Sequence, residues 1–315
     1  MEETKSMTTK RILIFIGITF LITYGLEFGI IYPLSNRAET DLSGMTAILV
    51  QVVVAGMMFL PSISVLLTRL ITKEGFDHCW IKPRFRGHIR YYVMAWFLPA
   101  LCTALGAVLY FAIFHKDFDG DLGYIISLYQ AQGVTLDRSQ AMMLALSQII
   151  MGVFLAPLLN ILTCFGEEWG WRGYLLPKMK EKLPMLPMLL VNGIIWGLWH
   201  APLTILGHNY GLGYKGYPFT GILAMCLFCI VIGVFLTYVT LKTGSCLPAA
   251  IAHGSINGMA ATGTLFLSTD AESSPFIGPA PTGIVGGAFF FLLGIVLCLV
   301  LVKDKSTTQN AMEHE

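Results

Sequence analysis

Ile161-Leu162-Thr163-Cys164-Phe165-Gly166-Glu167-Glu168-Trp169-Gly170-Trp171-Arg172-Gly173 places two adjacent glutamates at the end of a long apolar run. Even lenient insertion scales charge about 2.5–3.5 kcal/mol for one ionised side chain at the centre of a bilayer. A pair of them needs a local reason, and the rest of the chain says what kind. Of 315 residues, 55% are hydrophobic and 12% charged, with a mean hydropathy of +0.70. Soluble domains carry about 25% charged residues, so the composition is that of an all-α, polytopic integral membrane protein.

About eight transmembrane helices are expected, over 12–32, 45–68, 91–114, 146–176, 186–206, 220–241, 247–266 and 281–302. The first follows Arg11 without a small-residue cleavage site and reads as a retained helix. With the N-terminus inside, the inner segments hold fifteen basic residues: Lys5, Lys10, Arg11, Arg69, Lys73, Lys82, Arg84, Arg86, Arg90, Lys178, Lys180, Lys182, Lys242, Lys303 and Lys305. The outer segments hold four, Arg37, Lys116, Arg138 and Lys215, beside acids such as Asp117, Asp119, Asp121, Asp270 and Glu272. The bias puts both termini in the cytoplasm. Three parts follow: helices 1–3 with a basic inner loop 69–90 (residues 1–140), a polar-bearing core of helices 4–7 (141–266), and an external loop, last helix and cytoplasmic tail (267–315).

A net charge of +1 gives no ground for a nucleic-acid partner. The seven cysteines, Cys79, Cys102, Cys164, Cys226, Cys229, Cys246 and Cys298, fall inside or in apolar spans, so no disulfide framework is expected. Cys226 and Cys229 read as small packing hydrophobes. Glu27, in the first helix, is the third carboxylate in membrane-grade sequence and has no obvious partner there. His78, His88, His115, His208 and His314 fall in loops or the tail.

Depth separates a site from scattered polar glue. At 1.5 Å per residue, Glu167 lies roughly 16 Å from the inner charge Lys178, and His253 roughly 16 Å from Lys242. His200, counted from Pro187, comes to roughly 20 Å by the same rise. Three helices thus bring ionisable groups near one level of a core ~30 Å thick. Glu168 and Arg172 are four apart and can pair; Glu167 points about 100° away and is free to face His200. His253 and Asn257, also four apart, form two donors on one face. Trp196 precedes His200 on its own face, with Trp199 beside it; both read as packing or substrate-contacting residues. A carboxylate in apolar surroundings with a nearby histidine is equipped to take a proton from water. Donors such as His and Asn can hold a developing oxyanion. A cysteine nucleophile at Cys164 or Cys246 lacks the basic, exposed surroundings it would need.

These residues resemble the CAAX protease and bacteriocin-processing (CPBP, or Abi) family of intramembrane proteases, which includes the Ras-converting CAAX prenyl endopeptidases. The resemblance rests on Glu167-Glu168-x-x-x-Arg172, Trp196-x-x-x-His200 and His253-x-x-x-Asn257, in that order, over roughly 145–262. Trp196 stands where phenylalanine is common. The resemblance implies an endopeptidase in which Glu167 and His200 activate water, His253 and Asn257 form the oxyanion hole, and Glu168 and Arg172 organise the site. It also implies a membrane-associated or prenylated peptide substrate and contact with membrane lipid; a prokaryotic plasma-membrane setting is expected, although the resemblance covers eukaryotic members as well. No cofactor is expected; a zinc-dependent alternative would use Glu167, His200 and His253. A non-catalytic immunity or scaffold protein is the alternative outside enzymology.

Overall fold

The computed structural model describes residues 2–38 and 45–304. Lys305 and His314 lie outside them. Among the described residues the chain is helical without a strand, and it has four helices long and apolar enough to cross a membrane. Those four take in α1 (Glu2–Leu26) with its continuation α2 (Tyr32–Ala38), α3 (Met45–Met57) running into α4 (Leu60–Thr72), α5 (Ile89–Ile113) and, later in the chain, Phe219–Thr243. Their outward residues, such as Leu21 at 77% exposure, are apolar, the surface a lipid solvent requires.

The expected fourth span is not one helix. After a short helix α6 (Gly123–Gln130) comes α7 (Arg138–Phe154), whose start is fixed by a capping box between Asp137 and Gln140. The chain then breaks into α8 (Ala156–Leu159), α9 (Ile161–Glu168), a π-helical turn Trp169–Leu175, and α10 (Leu176–Lys180). Pro157 and Pro177 stand in first turns, where a missing N–H costs nothing but the preceding helix cannot run through. The fifth span breaks in the same way: α11 (Met185–Trp199) ends at His200, and α12 (Ala201–Ile205) restarts with Pro202 in its first turn. Then come α13 (Phe219–Thr243), α14 (Leu247–Met259) and α15 (Ala288–Lys303). The last helix starts at Ala288 rather than near 281, because Gly283, Gly286 and Gly287 belong to a turn folded against Ala280 and Pro281.

Two glycines set the framework of the site. A Cβ on Gly193 or Gly197 would fall 2.5 and 2.4 Å from the Cα atoms of Ile230 and Cys226. The small-xxx-small stripe of α11 therefore lets its backbone lie against α13. Around this contact Trp171, Trp196, Trp199, Phe228, Phe235 and Met188 form the main buried cluster.

The two ends of the bundle differ. At one, Glu74 meets Lys178 Nζ at 2.5 Å, Tyr174 Oη at 2.8 Å and Arg11 Nε at 3.5 Å, and Lys242 pairs with Asp304 at 2.7 Å. Burial pushes the Glu74 carboxyl up, but the hydrogen bonds from Lys178 and Tyr174 and the nearby Arg69 charge hold it below its ordinary value. At the other end, Ser268 N–H donates to Asp117 O at 2.7 Å and Tyr210 stacks on Phe276 at 5.0 Å.

Candidate active site

The π-helical turn after Glu168 carries the chain from the glutamate pair to Arg172. π-bulges commonly mark functional positions, because an extra residue per turn re-aims the side chains around it. Here Glu167 is 2% exposed, and Glu168 and Arg172 are both fully buried. Glu168 Oε1 accepts from Arg172 Nη1 at 3.0 Å, the pairing expected from their spacing. The same oxygen lies 3.0 Å from His253 Nδ1 on α14. This bond, between residues 85 apart in sequence, ties the first polar motif to the third. It also leaves the histidine's Nε2 as its other reactive edge.

Glu167 departs from expectation. Its carboxylate Oε2 accepts from Trp196 Nε1 at 3.0 Å, so its hydrogen bond comes from the indole and not from His200. His200 sits at the junction of α11 and α12 with Nδ1 2.9 Å from its own helix's Trp196 carbonyl. A carbonyl can only accept, so Nδ1 carries the proton and Nε2 presents a lone pair. Cys229 Sγ lies 4.0 Å from the same Nδ1.

Trp196 stands at the centre of these groups. Arg172 Cζ lies 4.1 Å over its ring, and the His253 and His200 rings lie 5.4 and 5.7 Å away. Sequence reading left Trp196 as packing or substrate contact and missed this donor. The signal was available: an indole buried among carboxylates needs an acceptor for its N–H.

His253 and Asn257 do not share one environment as their spacing led us to expect. His253 is 5% exposed and bound to Glu168, whereas Asn257 is exposed, with Nδ2 3.7 Å from Cys164 Sγ. Because Cys164 lies one helical turn before Glu167 and Glu168, Asn257 stands beside the cluster on its accessible flank. His200 is half-buried and completes that flank. Glu168 Oε2, Arg172 Nε and Arg172 Nη2 are buried with no hydrogen-bond partner among the described residues.

A zinc ion would need Glu167, His200 and His253 to converge. Among the described residues no group of three His, Cys, Asp or Glu side chains is placed to hold a metal. Glu167 turns to Trp196, His200 Nδ1 to a carbonyl and His253 Nδ1 to Glu168. These bonds engage Nδ1 of each histidine and Oε2 of Glu167 and leave Nε2 of both histidines and Oε1 of Glu167 as the outward donors, an orientation that metal-binding histidines also use.

Residues 146–259, which take in all three motifs, match the model of the Type II CAAX prenyl endopeptidase Rce1-like family. That is the resemblance read from the motifs. The chain is also similar to CAAX prenyl protease 2 of Methanococcus maripaludis, 30% identical over 100 residues, which is 31% of this chain. The matched stretch spans 37% of the length of that relative.

Proposed function

We propose that this chain is an intramembrane endopeptidase that cleaves a membrane-associated or prenylated peptide by direct attack of water. The observation that carries this reading is the continuous set of bonds joining Arg172, Glu168 and His253, with Trp196 joining Glu167 to the Arg172 and His200 groups. The match to a prenyl endopeptidase model, and a relative whose name is CAAX prenyl protease 2, support the choice of substrate class.

In this mechanism water enters on the flank of His200 and Asn257. Its proton passes to the free Glu167 oxygen, assisted by the lone pair on His200 Nε2. The resulting hydroxide adds to the scissile carbonyl carbon. The oxyanion is held by Asn257 Nδ2–H and by Nε2–H of His253, in the imidazolium form that the Glu168 carboxylate accommodates. Collapse breaks the C–N bond, and the departing amine takes the proton that Glu167 holds. Glu168 and Arg172 touch no reacting atom; they orient His253, as a carboxylate orients the histidine of a triad. Both termini and the Glu74 end of the bundle lie on the cytoplasmic side, and the host membrane is a prokaryotic plasma membrane.

The test is full-length protein in vesicles with a farnesylated reporter peptide. Wild type cleaves it and Glu167→Gln does not. Full-rate cleavage by the variant sinks the assignment of Glu167. Wild type that cleaves nothing across prenylated and unprenylated peptides favours the immunity or scaffold alternative. Complete, zinc-reversible inhibition by a chelator overturns the metal-free form of the mechanism.

A further inference from the structure

We infer that Trp196 is a positioning residue that sets which oxygen of Glu167 faces the substrate. The inference rests on the reading of Glu167 as the base. Trp196 is 1% exposed and donates its indole N–H to Glu167 Oε2 at 3.0 Å. The face of the same ring carries the Arg172 guanidinium at 4.1 Å, and its carbonyl receives His200 Nδ1 at 2.9 Å. One residue therefore touches the base, the site's buried cation and its second histidine.

The bond to Glu167 is selective among the tryptophans nearby. Trp169 and Trp171 on the π-helical turn have indole N–H groups without a hydrogen-bond partner among the described residues. Trp199 donates to the hydroxyl of Thr23 at 2.8 Å, on a different helix. Of these four indoles, only that of Trp196 reaches a carboxylate. A glutamate's terminal torsion is broad and nearly two-fold, so a free carboxylate in an apolar cavity has no fixed orientation. A charge-assisted bond in low dielectric holds Oε2, and Oε1 is then the oxygen left for water. Arg172 stacked on the ring keeps the indole plane from turning, which fixes the direction of the N–H.

Two replacements separate the N–H from the ring. Trp196→Phe keeps an aromatic face for Arg172 but removes the donor. Benzothienylalanine at position 196 keeps the full bicyclic shape and removes the donor alone, so it covers the case in which phenylalanine packs poorly. In vesicles with the farnesylated reporter, both lower kcat about tenfold or more while KM stays within about twofold. Wild-type kcat in both, with Glu167→Gln inactive in the same assay, overturns the role of Trp196 and leaves the base intact. Full activity in Glu167→Gln instead removes the base assignment and the inference with it. A readout independent of turnover is the ultraviolet resonance Raman signal of the indole N–H, isolated as wild type minus Trp196→Phe. Glu167→Leu shifts that signal toward a weaker hydrogen bond; an unchanged signal overturns the inference.

Discussion

Among the described residues the chain has two π-helical turns, and each carries or follows a buried glutamate. Glu27 opens the turn Glu27–Ile31 in the first span; Glu168 immediately precedes the turn Trp169–Leu175. Both are nearly inaccessible, at 1% and 0% exposure. Around Glu168 the neighbours are Arg172 and His253. Around Glu27 the turn joins an apolar cluster of Ile31, Met57, Leu60 and Leu203, and Glu27 Oε2 has no hydrogen-bond partner among the described residues. A buried carboxylate on an irregular helical turn is therefore not enough to make a site. What makes one is a set of partners drawn from other helices, which fixes the carboxylate's orientation and compensates its charge.

The comparison breaks most sharply in activity. Glu168→Gln, which removes the charge that holds His253 and Arg172, lowers kcat about a thousandfold on the reporter peptide, while Glu27→Gln stays within about threefold. Equal losses in the two variants would put Glu27 in the catalytic machinery and erase the distinction. Stability separates them next. Arg172→Leu strands part of a buried charge and costs about 3–5 kcal/mol, seen as a fall in Tm of the detergent-solubilised protein. Glu27→Leu swaps an unpaired acid for an apolar group and leaves Tm unchanged or raises it. Asn257→Ala, on the exposed flank, lowers kcat about a hundredfold with little change in Tm; a rise in KM of that size with kcat unchanged would make it a binding residue only. The smallest effect belongs to Glu74, a half-buried carboxylate with several cationic neighbours. Its folded carboxyl lies below the ordinary value of about 4.3, so its stabilisation is complete above that pH and fades as pH falls through the folded value. Glu74→Gln therefore flattens the decline of Tm below about pH 5, and an unaltered decline would mean the ion cluster does not contribute.

Much of this was legible from residue spacing. The matched depth of Glu167, His200 and His253 anticipated that three helices converge, and the i, i+4 spacing of Glu168 and Arg172 anticipated their pair. Four things were not legible. Hydropathy windows average over breaks, so the interruptions at Leu155 to Asn160 and at His200 showed only as Pro157 and Pro202. The interhelical bond from Glu168 to His253 depends on packing across 85 residues, which no periodicity encodes. Shared helical face placed Asn257 with His253, yet small rotations at a helix edge suffice to make one buried and the other exposed. The helix Gly123–Gln130 fell between the expected spans because its eight residues are too few to give a spanning signal.

The π-helical turn has one more consequence, best put as phase. Each residue turns a helix by about 100°, so an extra one between Glu168 and α10 advances everything beyond it by that angle. Lys178, at the far end, meets Glu74 at 2.5 Å in the advanced setting. Deleting one residue from 169–175 would leave every side-chain type available but put the two ends of the segment out of step. Either the glutamate pair would keep its partners or Lys178 would, not both. The stretch from Glu168 to Lys178 is constrained in length as strictly as in kind, like a gear that meshes at both rims only with a set number of teeth.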